Sequence, residues 1–214
     1  FKHIQEICRR HDILFVADEV ITGFGRTGQW FASQTMELEP DMMALAKGLT
    51  SGYVPMSAVM VGDRVANKLV ADGGEFYHGF TYSGHPVAAA VALANLELIE
   101  REDMITRVRE DTGPYLAEAL APLAEHRIVG EIRTFGVLAA IELVKSKDGP
   151  VLFEDIGATG VICRDHAINR GLMMRAVRDA MILSPALTYS RADIDETVRI
   201  AAQALDATAN QLGL

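Results

Sequence analysis

Two short apolar runs that each stop at a charged side chain constrain this chain most. Ile13-Leu14-Phe15-Val16-Ala17 runs into Asp18-Glu19, and Met42-Met43-Ala44-Leu45-Ala46 runs into Lys47, with Gly48 and Gly52 close behind. Runs of this length, bounded by turn residues, read as strands over 13–17 and 42–46, buried on both faces as in a mostly parallel α/β sheet. Residues 1–11 have helical spacing, with Ile4, Ile7 and Cys8 on one side, so the chain opens with a helix that feeds the first strand. Ligands of open α/β sheets bind beyond the C-terminal ends of the strands. Asp18 and Lys47 are therefore placed to face one ligand between them. A cation at the end of a buried strand is costly to leave unpaired, and desolvation favours its neutral, nucleophilic form. The alternative for Lys47 taken alone is a surface lysine that opens a loop.

A lysine and a carboxylate so placed suit pyridoxal phosphate. The lysine can hold the aldehyde as a Schiff base, and the carboxylate keeps the pyridine nitrogen protonated so that the ring accepts electrons. A third stretch, Thr81-Tyr82-Ser83-Gly84-His85-Pro86, precedes an Ala-rich helical segment over 88–100. Proline suits the first turn of a helix, and hydroxyls with free N–H groups ahead of that turn suit an anion; a helix cap without a ligand is the plainer alternative.

These three stretches (DEVITGFGRTG at 18–28, PDMMALAKGLTSGY at 40–53 and FTYSGHP at 80–86) resemble the class III aminotransferases, a branch of the fold-type I pyridoxal phosphate enzymes, nearest to the ω-amino acid and amine:pyruvate group. The resemblance covers essentially the whole chain. It implies the second half of a three-layer αβα large domain over 1–100, with a mostly parallel sheet, followed by a small α+β domain over 101–214. It implies Lys47 and Asp18 as catalytic residues; Val20, two residues after Asp18, is expected against one face of the cofactor ring, since alternate residues of an extended segment point the same way. It also implies that the backbone of Phe80 and the hydroxyl of Thr81 bind the cofactor phosphate of a neighbouring subunit, in a homodimer or larger assembly. Because residue 1 is Phe and the chain starts within a helix, it reads as the C-terminal part of a longer enzyme.

Composition narrows the partners. A net charge of −9 over 214 residues argues against nucleic acid and anionic membrane surfaces. No apolar run is long enough to span a bilayer, and Cys8 and Cys163 are far apart without a CxxC or a His/Cys cluster. Neither a disulfide framework nor a metal site is expected, and a cytoplasmic setting follows from the cysteine usage. Residues 19–39 read as a long Gly-rich loop. Its GFGRTG lacks the Lys-Ser/Thr of a nucleotide cradle, so it reads as a tight turn beside a ligand, with Arg26 anchoring the loop and Trp30 and Phe31 packing it down. A nucleotide-binding module resting on GFGRTG alone is the competing binding-protein reading.

The later part of the chain reads as helix over 103–126, broken around Gly113-Pro114, a strand pair over 128–134 and 137–144, helix over 157–170, short strands at 173–175 and 181–184, and a closing helix over 191–211 capped near Ser190. Arg175 ends an apolar run. It resembles the family's mobile arginine, which pairs with a substrate carboxylate through its planar fork; a structural ion pair is the alternative. Two departures bear on substrate preference: Arg178 stands where the family commonly has glycine, and Ser184-Pro185-Ala186 where it has two prolines. His85 is read as structural. The implied reaction moves an amino group from an ω-amino acid or amine to a keto acid such as pyruvate. An aminomutase, racemase or decarboxylase on the same scaffold would share Lys47 and Asp18, and a purely structural or dimerising role for the fragment is the other class of reading.

Overall fold

The computed structural model describes residues 1–73, 76–149 and 151–214. The chain divides into two compact units, Phe1–Thr106 and Arg107–Leu214. In the first, helix α1 (Lys2–Arg10) leads into strand β1 (Val16–Asp18), and a turn-rich segment carrying the short helix α2 (Ala32–Thr35) leads to β2 (Met42–Leu45). Strand β3 (Ala58–Val61), helix α3 (Asp63–Ala71) and the long helix α4 (Pro86–Arg101) follow. The sheet order is β1-β2-β3; β1 and β2 are parallel, and β3 runs antiparallel to β2.

The expected strands form, but their burial differs. Val16 is 52% exposed and Val59 62%, and Ile13 and Leu14 are exposed as well. A three-stranded sheet leaves much of its faces open, so apolar runs that suit a sheet covered on both faces stay partly uncovered here. Strand β1 also starts later than expected. Residues 13–15 are held by side chains instead: the Phe15 N–H donates to Asp41 Oδ2 at 2.7 Å, and Arg64 bridges Asp12, Asp41 (3.1 Å) and the Ile13 carbonyl. The Phe15 N–H holds the Asp41 carboxyl below its usual range, helped by Arg64. On α1 the expected apolar side stays largely exposed, and Gln5 is the buried residue, accepting the Glu39 N–H at 2.7 Å.

In the second unit, α5 (Met104–Arg107) passes through a π-helical turn (Val108–Thr112) into α6 (Gly113–Leu120) and a 3₁₀ turn (Ala121–Glu125). The break expected at Gly113-Pro114 is instead this wide turn. Pro114 has no N–H for an i→i−4 bond, and an extra residue in the turn absorbs the mismatch without ending the helix. A Cβ at Gly113 would lie 2.5 Å from the Val108 carbonyl oxygen and 3.3 Å from the backbone of Gly136, so glycine is needed where the helix meets the hairpin corner. Strands β4 (Val129–Phe135) and β5 (Leu138–Leu143), helix α7 (Ala158–Ile168), strands β6 (Arg175–Val177) and β7 (Ala180–Leu183), and helix α8 (Arg191–Leu212) complete it. The sheet is antiparallel throughout, in the order β4-β5-β7-β6.

One face of this sheet packs on the helices. Leu116, Leu120, Ile141, Leu143, Met181 and Leu205 are fully buried, each worth about 1.5–3 kcal/mol of burial free energy. Cys163 lies among them, and burial pushes its thiol up to about 11, which keeps it protonated and unreactive. Both cysteines are free thiols. Helix α8 starts in a reciprocal cap: the Asp193 N–H donates to Ser190 Oγ at 3.3 Å, and the Ser190 N–H donates to Asp193 Oδ2 at 2.8 Å. No helix among the described residues is long and apolar enough to cross a membrane.

Candidate active site

Asp18 is the last residue of β1 and stands opposite Ala44 of β2. Lys47 leaves the C-terminal end of β2 three residues further on, at the start of a 3₁₀ turn (Lys47–Leu49). Since β1 and β2 are parallel neighbours, both side chains emerge from the same end of the sheet. Both are exposed, contrary to the buried lysine expected, because this end of the sheet is open here. No hydrogen bond or ion pair engages the Lys47 amine among the described residues. Its backbone has φ +43°, the left-handed region that non-glycine residues rarely adopt.

The dipeptide Asp18-Glu19 divides its work. The Asp18 carboxylate stays at the surface and accepts the Val20 N–H at 3.1 Å, closing a small turn. Strand β1 therefore stops before Val20, which enters the turn rather than continuing the alternation of the strand. Glu19 points inward and is buried. It accepts the Ala32 N–H at 2.9 Å, the Ser33 N–H at 2.6 Å and the Thr22 hydroxyl, while its own carbonyl accepts the Gly23 N–H at 2.9 Å. A buried carboxylate is tolerable when so many donors meet it. The residues between 19 and 31 are thus a packed Ω-type loop.

Phe24 sits inside that loop, 4% exposed, with its ring edge-on to Phe31 at 5.6 Å. A Cβ at Gly48 would lie 3.0 Å from Phe24, so glycine after the lysine lets the loop close on the lysine turn. Burial lowers the pKa of the Arg26 guanidinium, in keeping with its expected place as an anchor inside this loop.

The third stretch ends in α4, with Pro86 at its first turn as expected. Phe80 and Thr81 are exposed in the turn that precedes it. Within that turn the Phe80 N–H donates to Ser83 Oγ at 2.9 Å, and the Ser83 N–H returns to the Phe80 carbonyl at 2.9 Å. His85 is the N-cap residue without a side-chain cap bond. Gly74 and Glu75, ahead of this stretch, lie outside the described residues.

Arg175 belongs to the second unit. It begins β6 rather than ending a strand, pairs opposite Ile182 and is exposed on the side shared by Met173 and Val177. No ion pair engages its guanidinium among the described residues. Arg178 sits at the tight turn between β6 and β7 with φ +54°. Glycine is the usual residue for that geometry, which explains why the position attracts one. Arg178→Gly should stabilise the protein by about 1 kcal/mol, the left-handed strain relieved less the larger freedom of the unfolded chain; a denaturation midpoint that stays the same or falls would contradict this. Asp179 next to it is buried and accepts the Gly157 and Gly160 N–H groups at 2.8 and 2.9 Å, capping α7 from outside the helix.

Sequence reasoning missed Glu19, Phe24, Asp179 and Asn95. Asn95 lies on α4, where its Nδ2 donates to the Gly48 carbonyl at 2.8 Å and the Leu49 carbonyl at 3.1 Å. A signal for it was present: it is the one polar side chain in the run Pro86–Leu96.

The family model for aminotransferase class-III matches residues 1–205 of this chain. The chain belongs to the class III aminotransferases. It is 53% identical over 206 residues to the putrescine–pyruvate aminotransferase of Pseudomonas aeruginosa, covering 96% of this chain and 45% of that protein. It is 39% identical to the vanillin aminotransferase of Capsicum annuum, covering 97% and 46%. The crystal structure of the ω-transaminase from Pseudomonas jessenii in complex with PMP superposes with a TM-score of 0.92 at 41% identity, over 99% of this chain and 47% of that one. The chain thus spans about half the length of the relatives it matches. Class III aminotransferases depend on pyridoxal 5'-phosphate, and the chain has part of their fold-type I α/β architecture. The donor set fits that cofactor: an uncommitted amine and a surface carboxylate leave the same end of two paired parallel strands.

Proposed function

We propose that the protein to which this chain belongs is an amine transaminase, moving an amino group from an ω-amino acid or diamine to a keto acid such as pyruvate. The observation that carries this reading is the placement of Asp18 and Lys47 at the C-terminal ends of the neighbouring parallel strands β1 and β2. Bound pyridoxal phosphate supplies an aldehyde that exchanges amines and a ring that takes up electrons. Lys47 Nζ would hold the group through its aldehyde, and the same nitrogen would serve as base and then acid for the proton on the substrate carbon. The Asp18 carboxylate would hold the pyridine nitrogen in its protonated form, and Val20 would line the ring. The Phe80 backbone and Thr81 hydroxyl hold the phosphate in a neighbouring subunit, which requires at least a homodimer. Arg175 receives the acceptor's carboxylate through its guanidinium fork.

On this reading the first unit (Phe1–Thr106) corresponds to the second half of the cofactor-binding domain expected over 1–100, and the second (Arg107–Leu214) to the small domain expected over 101–214. A cytoplasmic setting suits a chain whose two cysteines are both free. The relatives are aminotransferases by name, which favours transfer over mutase, racemase or decarboxylase chemistry.

An absorbance spectrum of the full-length protein with cofactor tests the reading. Adding an amine such as putrescine alone should remove the long-wavelength band, and pyruvate should restore it. A band that ignores the amine, or recovers without a keto acid, would overturn it.

A further inference from the structure

We propose that Asn95 is a positioning residue for Lys47. The inference rests on Lys47 being the residue that binds the cofactor aldehyde. Lys47 leaves β2 through a turn in which both Lys47 (φ +43°) and Ser51 (φ +49°) have left-handed backbones. Such a turn persists only when its surroundings over-determine it. Its own hydrogen bonds lengthen along the turn: the Leu49 N–H reaches the Ala46 carbonyl at 3.0 Å, the Thr50 N–H the Lys47 carbonyl at 3.3 Å and the Ser51 N–H the Gly48 carbonyl at 3.4 Å.

Asn95 supplies what the turn lacks. Both of its amide protons are committed to successive carbonyls of the turn, Gly48 and Leu49, and its Oδ1 accepts the Ser51 hydroxyl at 2.7 Å. The amide uses two donors and one acceptor on three of the four residues that follow the lysine. Asparagine is a poor helix former, and its neighbours in α4 are alanines and leucines, so the helix gains nothing locally from it. Phe24 also closes on Gly48, so the turn is held by both the Glu19 loop and α4. The contact that fixes where the Lys47 side chain departs is therefore made by a residue remote in sequence.

The experiment uses the full-length protein stripped of cofactor. Added pyridoxal phosphate condenses with the lysine amine, losing water; borohydride then adds hydride across the carbon–nitrogen bond, and peptide mapping locates the label. If the parent protein is not labelled at Lys47, the reading of the lysine fails, and this proposal with it. With labelling at Lys47 established, the rate of capture is followed in Asn95→Asp, which keeps the shape and the Ser51 contact but cannot donate to the two carbonyls. Capture should slow by about tenfold or more, and kcat should fall by up to about 100-fold with the KM for amine little changed, as expected when a reacting group is misplaced by about an ångström. Ser51→Ala, which removes one contact but leaves both carbonyl contacts in place, should slow capture clearly less than Asn95→Asp does. Asn95→Ala, free of added charge, is read in the same way should the aspartate variant fail to fold. Parent-like capture and kcat in a folded Asn95 variant, whatever its melting temperature, would overturn the assignment.

Discussion

Lys47→Ala in the full-length protein should lower the rate of amine transfer to pyruvate by about 10³-fold or more, because it removes both the attachment point and the proton carrier. The effect should be confined to chemistry. Lys47 is exposed and its amine has no partner among the described residues, so the melting temperature without cofactor should hardly move. The long-wavelength band should vanish along with the activity. A variant that turned over normally would remove the basis for assigning Lys47, and Asp18 with it.

The largest effect on stability is expected in the second unit. A Cβ at Gly160 would stand 2.0 Å from the Arg178 carbonyl oxygen and 3.1 Å from its carbon, both backbone atoms that cannot swing aside. Relief requires the turn at Arg178-Asp179 to move away from α7. That motion would break the bonds from the Gly157 and Gly160 N–H groups to Asp179, leaving a buried carboxylate without donors. Gly160→Ala should therefore cost about 3 kcal/mol or more, from overpacking and the unpaired charge together. Gly171→Ala is the control. Nothing lies within reach of a Cβ there, so only its φ of +89° opposes the change, at about 1–2 kcal/mol. Equal denaturation midpoints for the two variants would show that the Gly160 contact yields more easily than its geometry implies.

What could be read in advance follows from how local the signals are. The strand ends at Asp18 and Lys47 were legible because an apolar run that stops at a charge is a pattern within a few residues. The cap at Ser190 and the proline opening α4 were legible for the same reason. Glu19 was not, because the outward and inward halves of Asp18-Glu19 differ only in which side of the chain they occupy. Its partners, Ala32 and Ser33, are known only once the loop has folded back. Asn95 was hidden because its contacts cross from one helix to a turn far along the chain. Strand β6 was misplaced because Leu172 and Met174 are buried like strand residues. Pairing begins only at Arg175, opposite Ile182. The burial expected of the first sheet depended on layers that these residues do not supply.

The loop closed by Glu19 has a consequence for handling the protein. It contains Arg26, a cleavage site for trypsin, in one of the longest stretches without extended helix or strand. A protease needs an extended, exposed backbone of several residues, and loops usually offer it. Here Gly23, Phe24, Gly25, Thr27 and Gly28 are all buried, and both ends of the loop are tied to one carboxylate. The bond after Arg26 should survive digestion for as long as Glu19 keeps its donors, so a cut at that bond would report that the loop has come undone.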